Sequence, residues 1–313
     1  MAKANQVRHA SDYIVPLYMN RLQGRTLRVP APKGKNREIL FVYGNRSSLE
    51  RWWGVIDLLN QYGAVTAADL PGFGGMQSFY KVGQKPTIDA LADYLAAFIK
   101  MSYKRKKVTI VAMSFGFVVV TRMLQRCPDL VKKVDLLVSV AGFTHHEDFT
   151  FTPARHRFYS YGARFFSWRL PSMFYRHVVL APAALRLIYS RTHNARHKFT
   201  SVDRAERRRL MDFEVKLWQI NDIRTQMATT AQFLALDNCK KTVDLPVWHV
   251  MPEADNYFDN HVVEQHMRVI FSGFKQARST LGNHAPTLIE DKDQAAKLFP
   301  AVLKRVLARS PGK

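Results

Sequence analysis

One serine of this chain stands where a serine can be made reactive. Residues 108–113 (Val-Thr-Ile-Val-Ala-Met) form an uncharged, β-branched run, and residues 115–126 follow as a helix that ends before Pro128. Ser114 therefore occupies a direct strand-to-helix turn. Such a turn is crowded, so the positions two before and two after the serine must be small, and they are Ala112 and Gly116. A hydroxyl held there can attack an acyl carbon once a base removes its proton, because an unassisted serine is a poor nucleophile at neutral pH. The competing reading is a serine that only caps the following helix.

The elements around it alternate. Apolar runs at 38–43, 64–69, 108–113 and 136–141 are separated by helical patterns at 49–62, 87–101 and 115–126. Residues 13–18 and 26–29 read as short edge strands with Gly24 at a turn. After residue 235 the alternation resumes, with a strand at 245–251, a helix at 261–271, a strand at 275–280 and a final helix at 291–307. Strands alternating with helices predict an α/β fold whose sheet is mostly parallel and flanked by helices. Residues 145–235 break the pattern; they read as helical or irregular, rich in Arg and aromatic residues. The expected organisation is a core formed by 1–144 and 236–313, with a helical cap inserted at 145–235.

Four further segments sit at the ends of these strands. Asp69-Leu70-Pro71-Gly72-Phe73-Gly74 follows the second run, Tyr43-Gly44-Asn45 follows the first, Glu253-Ala254-Asp255 follows the strand at 245–251, and Gly282-Asn283-His284 precedes the last helix. With Ala-Met-Ser-Phe-Gly at 112–116, they resemble the α/β-hydrolase family: its nucleophile elbow G-x-S-x-G, its D-x-P-G-x-G turn, its H-G-x segment, the acid after its seventh strand and its G-x-H turn. The resemblance covers about residues 36–143 and 236–309. Departures are Ala112 for the first elbow glycine and Tyr43 for the usual histidine.

The resemblance implies a triad of Ser114, Asp255 and His284 in the family's Ser…Asp…His order. Asp259 and Glu253 are competing acids, and Asp148 is an alternative site for the acid. The amides of Asn45 and Phe115 would form the oxyanion hole. Implied is a serine esterase or lipase working through an acyl-enzyme, with no metal and no organic cofactor. Thioesterase, acyltransferase or C–C bond hydrolase chemistry on the same triad is the alternative, and a non-catalytic basic scaffold is the other. In the insertion, Phe165, Trp168 and Phe174, with Tyr43 from the core, are the expected substrate-binding residues, beside the plainer reading of cap packing. Trp52 and Trp53 read as packing residues. His145 and His146 read as loop surface, and His261 and His266, five apart on one helix, as a poor metal pair.

Lys and Arg number 47 against 25 Asp and Glu in 313 residues, a net charge of +22. Residues 143–235 carry 15 basic and 7 acidic side chains, whereas 236–313 carry 11 and 9. Such a surface attracts polyanions or anionic lipid. The excess reads either as a compositional bias of the chain or as a functional patch; the second implies peripheral contact with an anionic membrane beside a small ester or lipid-like substrate. Nucleic acid is disfavoured, since no helix-turn-helix, zinc-finger, RRM or KH pattern is present. Two cysteines exclude a disulfide scaffold. The polar start MAKANQVRHA and the absence of a long apolar run predict no signal peptide and no transmembrane segment, hence a cytoplasmic setting.

Overall fold

The computed structural model describes residues 8–191, 203–253, 255–280 and 288–309. Strands β1 (Ile14–Met19) and β2 (Leu22–Val29) pair antiparallel. Their turn is made by Asn20 and Arg21, with φ of 53° and 63°, as a two-residue type I′ turn requires. The turn expected at Gly24 is thus displaced. Gly24 lies inside β2 opposite Leu17, where a Cβ would come within 2.2 Å of Met76 Sδ.

The remaining strands are β3 (Arg37–Val42), β4 (Gly63–Ala68), β5 (Val108–Met113), β6 (Val134–Val140), β7 (Val243–Pro252) and β8 (Phe271–Ser279). They join β1 and β2 in one sheet of order β1-β2-β4-β3-β5-β6-β7-β8. All neighbours from β4 to β8 are parallel. Every residue of β5 is buried, which explains its unbroken apolar run, since a strand covered on both faces has no polar side to show. From β3 the chain steps to β4 on one side and later to β5 on the other. At such a reversal the loops leaving the two strands diverge and open a crevice at their carboxyl ends.

The sheet is flanked by α1 (Trp53–Asn60), α2 (Ile88–Ser102) and α3 (Phe115–Arg126), and later by α9 (Asn260–Ile270), α10 (Lys292–Ala296) and α11 (Ala301–Ala308). Thr87 caps α2 by accepting the Ala90 amide. The single final helix expected over 291–307 is two helices. Pro300 separates them, because the residue before a proline is pushed out of helical backbone. Between β6 and β7 the described residues form α4 (Pro153–Phe166), α5 (Arg169–Phe174), α6 (Pro182–Arg191), α7 (Arg204–Ile220) and α8 (Ile223–Phe233). Two isolated bridges hold this insertion's base: His145–Asp237 joins its two ends, and Phe149–Phe258 ties its start to the loop after β7. Leu180, Leu185, Val215 and Ile223 give it a small apolar core of its own.

Candidate active site

The β5–α3 junction is strained at one residue. Ser114 has φ 49° and ψ −124°, a conformation that costs a non-glycine residue about 1–3 kcal/mol and persists only where its surroundings enforce it. The enforcement is visible. The Ser114 amide donates to Val140 O at 3.0 Å. Gly116 lies so close to β3 that a Cβ would meet Tyr43 O at 2.4 Å and Val42 O at 2.5 Å. The crowding inferred from sequence therefore has a named source. Ser114 makes no side-chain cap bond to α3, so the capping reading does not describe it. The strain instead presents a half-buried hydroxyl at the sheet's carboxyl edge.

The loop after β3 reaches the same point. A Cβ on Gly44 would lie 3.1 Å from Ser114 Cβ and 3.6 Å from its Oγ. The peptide joining Gly44 to Asn45 is thereby brought beside the serine. Phe115 heads α3, where the first amides of a helix have no partner within it and carry the positive end of its dipole. The two expected oxyanion donors thus belong to two segments that flank Ser114.

Tyr43 differs from its expected role. It is 1% exposed, and its hydroxyl donates to Asp69 Oδ1 at 2.6 Å. It supports the loop from beneath and has no surface for substrate. Asp69 also accepts Arg25 Nε at 3.0 Å, and Arg25 bonds Gly74 O and Glu50. Burial pushes the Asp69 carboxyl up to about 7 against the pull of Arg25. Burial likewise raises the Tyr43 phenol well above its usual range. Gly74, at φ 62°, leaves room for the pair, since a Cβ there would sit 2.0 Å from Asp69 Oδ1.

Asp255 follows β7. Its Oδ1 accepts the amides of Tyr257 at 2.8 Å and Phe258 at 3.2 Å, which fixes the turn. Its charge also acts on His249 within β7, whose imidazole burial lowers to about 4. Of the competing acids, Asp259 caps α9 through the His261 and Val262 amides, and Glu253 is exposed. Asp148 is fully buried, with Oδ2 on the amides of Thr144 and His145 and Oδ1 on His266 Nδ1. Both of its oxygens serve the fold. His284 lies outside the described residues.

The insertion packs on this edge through α8. Thr230 Oγ1 accepts Asn45 Nδ2 at 3.4 Å, the Phe233 and Phe115 rings lie 5.7 Å apart, and the Asp222 amide donates to Gly72 O. Arg46, at φ 48°, pairs with buried Glu214 of α7 at 3.4 Å and lies 4.2 Å from the Trp218 ring centre. Phe165, Trp168 and Phe174 are 57%, 69% and 59% exposed. All three side chains are largely open to solvent in this structure. Phe115, next to Ser114 in the chain, packs against Phe73 at 6.1 Å and Phe233 at 5.7 Å, and Phe233 is continued by Phe143, which stacks on Phe258 at 4.6 Å. Sequence reasoning missed these because Phe233 is a lone aromatic in its segment, and Phe258, beside Tyr257, lies in a loop read only for its acids. His145, expected on the loop surface, has only 12% of its side chain exposed and packs against His266.

Comparison with known proteins agrees with this architecture. Residues 38–237 match the family model described as alpha/beta hydrolase fold, and the chain belongs to that family of hydrolases. No curated protein matches it in sequence. Among solved structures, it is similar to the enol-lactonase from Burkholderia xenovorans LB400, at 12% identity and TM-score 0.62, over 94% of this chain and 98% of that one. It is similar to a thermophilic esterase from Thermogutta terrifontis, at 13% identity and TM-score 0.60, over 95% and 99%. It also resembles a membrane phospholipase A described as a bacterial virulence factor, at 15% identity and TM-score 0.61, over 95% and 87%. At such identities the likeness is one of fold.

Proposed function

We propose that this protein hydrolyses carboxylic esters with an apolar acyl part through an acyl-enzyme on Ser114. The observation that carries this reading is the strained Ser114 backbone beside the Gly44–Asn45 peptide. His284 takes the proton as Ser114 Oγ attacks the ester carbonyl, and Asp255 orients the imidazole and stabilises its charged form. The amides of Asn45 and Phe115 hold the oxyanion; loss of one such donor typically costs about 10²–10³ in rate. The alcohol leaves with the proton, and water, deprotonated by His284, releases the acid. The esterase, lactonase and phospholipase among the similar structures support ester chemistry.

The substrate is proposed to be drawn from an anionic lipid surface. Trp168, Leu170 and Phe174 expose 69%, 76% and 59% of their surface on α5 and its entry. Arg164 and Arg169, which flank Trp168 in the chain, are exposed as well, as is Arg157 on α4. Each such cation adds about 1 kcal/mol of attraction near an anionic bilayer. No helix of the described residues is long and apolar enough to cross a membrane, so the contact is peripheral.

The test is fluorophosphonate labelling of wild type, Ser114→Ala and His284→Ala, followed by p-nitrophenyl esters of rising chain length. Labelling lost in both variants, with turnover rising with chain length, supports the reading. An unlabelled, folded wild type that also fails on every ester overturns it. Sedimentation with phosphatidylglycerol vesicles tests the surface. Binding should exceed that to phosphatidylcholine and fall in the Trp168→Asp, Leu170→Asp double variant; equal binding to both lipids would reject it.

A further inference from the structure

We infer that the loop after β6 and helix α9 form a zinc-binding site from His145, His146, Glu147 and His266, separate from the proposed ester chemistry. Single ligand atoms of His145, His146 and Glu147 all lie within 4.8 Å of one another. His266 Nε2 lies 3.8 Å from Glu147 Oε2, and the His145 and His266 ring centres are 4.3 Å apart. Tetrahedral zinc with bonds of about 2.0–2.1 Å sets its ligand atoms about 3.3 Å apart. The His266–Glu147 pair needs to close by about 0.5 Å, and the pairs among His145, His146 and Glu147 by at most about 1.5 Å, within the reach of side-chain rotation.

The site is more than four residues near one another, because two of its imidazoles are oriented from behind. His266 Nδ1 bonds the buried carboxylate of Asp148 at 2.6 Å, which leaves Nε2 as the ligating nitrogen. His146 Nδ1 lies 3.0 Å from Leu236 O. A carbonyl only accepts, so Nδ1 carries the proton and the Nε2 lone pair is available. A histidine held through its other nitrogen by a carboxylate or carbonyl is the usual support of a metal ligand. His145 turns Nδ1 toward Glu147, 3.6 Å from Oε2, where it accepts the Glu147 amide at 3.2 Å; zinc would take the place of that amide contact.

Charge favours a cation here although the whole protein is basic. Glu147, Asp148 and Asp237 surround the imidazoles, with His145 Nε2 3.8 Å from Asp237 Oδ1. Lys240 faces them from the rim, paired with Asp237 at 3.4 Å and 79% exposed. Three imidazoles and a carboxylate are a borderline donor set that suits zinc. Spacing along the chain hid the site. His261 and His266 share a helix and cannot pair, and the true neighbour of His266 is more than a hundred residues earlier.

The site has a structural consequence. Asp148 O accepts the Asp259 amide at 2.8 Å, and Tyr257 O accepts the Thr150 amide at 2.9 Å. The same strands of bonding hold the turn that bears Asp255. Zinc would clamp the β6 loop to α9 and stiffen that turn.

The experiment is titration of the metal-free full chain with Zn²⁺ against a fluorescent chelator, with Co²⁺ absorption as the geometric readout and thermal unfolding alongside. The expected result is one ion per chain, intense visible cobalt bands of a tetrahedral site and a higher Tm with zinc. Glu147→Ala, on an exposed side chain, and His266→Gln should each weaken binding at least tenfold, while His177→Ala should not. No stoichiometric binding, weak octahedral cobalt bands, or affinity unchanged in Glu147→Ala and His266→Gln would overturn the site. None of these readouts depends on ester turnover, so the result stands apart from the fate of the proposed triad.

Discussion

The Tyr43 hydroxyl donates to the Asp69 carboxylate at 2.6 Å inside the core, joining the loop after β3 to the turn after β4. Two segments that resemble separate family motifs are thus one hydrogen-bonded unit, with Arg25 closing it from β2. The tyrosine at the usual histidine position is supported by Asp69, and the Gly44–Asn45 peptide rests on that support. Removing the hydroxyl leaves a buried acceptor one bond short, which costs about 1–3 kcal/mol. Tyr43→Phe should lower the unfolding free energy by that amount, seen as a lower urea midpoint at unchanged m, and reduce kcat, with KM little changed. A midpoint equal to wild type would show that Arg25 alone satisfies Asp69.

The elbow makes opposite predictions for two neighbouring positions. Glycine adopts φ 49° freely, so Ser114→Gly should remove probe labelling yet raise stability by about 1 kcal/mol, after allowance for glycine's greater unfolded-state freedom. At Gly116 a Cβ would meet two carbonyl oxygens within 2.5 Å. Gly116→Ala should therefore cost about 3 kcal/mol and most of the labelling, because β3 or the serine must move. Thermal unfolding and probe labelling of the two variants side by side check both signs. A destabilised Ser114→Gly would mean that the turn is not strained.

Some of this was legible in the sequence because it is local. The bounds of β5 and α3 coincide with the apolar run and the helical pattern read on either side of Ser114. Burial on both faces produces an unbroken run, and crowding at the turn selects small residues. The β1–β2 turn was not legible, since Asn20 and Arg21 adopt positive φ where glycine is the ordinary choice. The contacts Asp148–His266 and Arg46–Glu214 join residues 118 and 168 apart, and no periodicity links them. The exposed aromatics of α4 and α5 show why residue type is a poor guide to a pocket. Phe165, in an aromatic-rich stretch, carries the substrate reading yet faces solvent, whereas the isolated Phe233 packs on Phe115.

Glu214 is fully buried in α7 and answers Arg46, the residue after Asn45. The insertion thereby holds the loop that carries a proposed oxyanion donor. Glu214→Gln removes the negative charge opposite Arg46 and should cost about 3 kcal/mol, since an unpaired charge is left largely desolvated. Its effect on turnover should exceed its effect on binding: a fall in kcat of about tenfold, partway to the loss of one oxyanion donor, with KM near wild type. Glu214→Asp should recover part of both. Reduced stability with unchanged kcat would show that the pair serves packing alone.

The last prediction concerns acid. His249 is 1% exposed, with Nδ1 2.9 Å from Ser139 Oγ, and burial lowers its pKa to about 4. In the unfolded chain an imidazole titrates near 6.5. The folded pKa is depressed, so the folded state binds the proton less readily than the unfolded state. The associated stability is present above pH ~6.5 and is lost as pH falls toward ~4, by about 3 kcal/mol in all. His249→Gln, which retains a partner for Ser139, should show a shallower acid limb than wild type in urea midpoints at pH 7.5, 5.5 and 4.5. Asp255→Asn should act in the other direction, because the Asp255 charge opposes the lowering. Its removal depresses the imidazole further and extends the acid limb to lower pH. Carboxylates common to all three proteins cancel in the differences. Parallel limbs in wild type and His249→Gln would mean that His249 does not titrate in this range on unfolding.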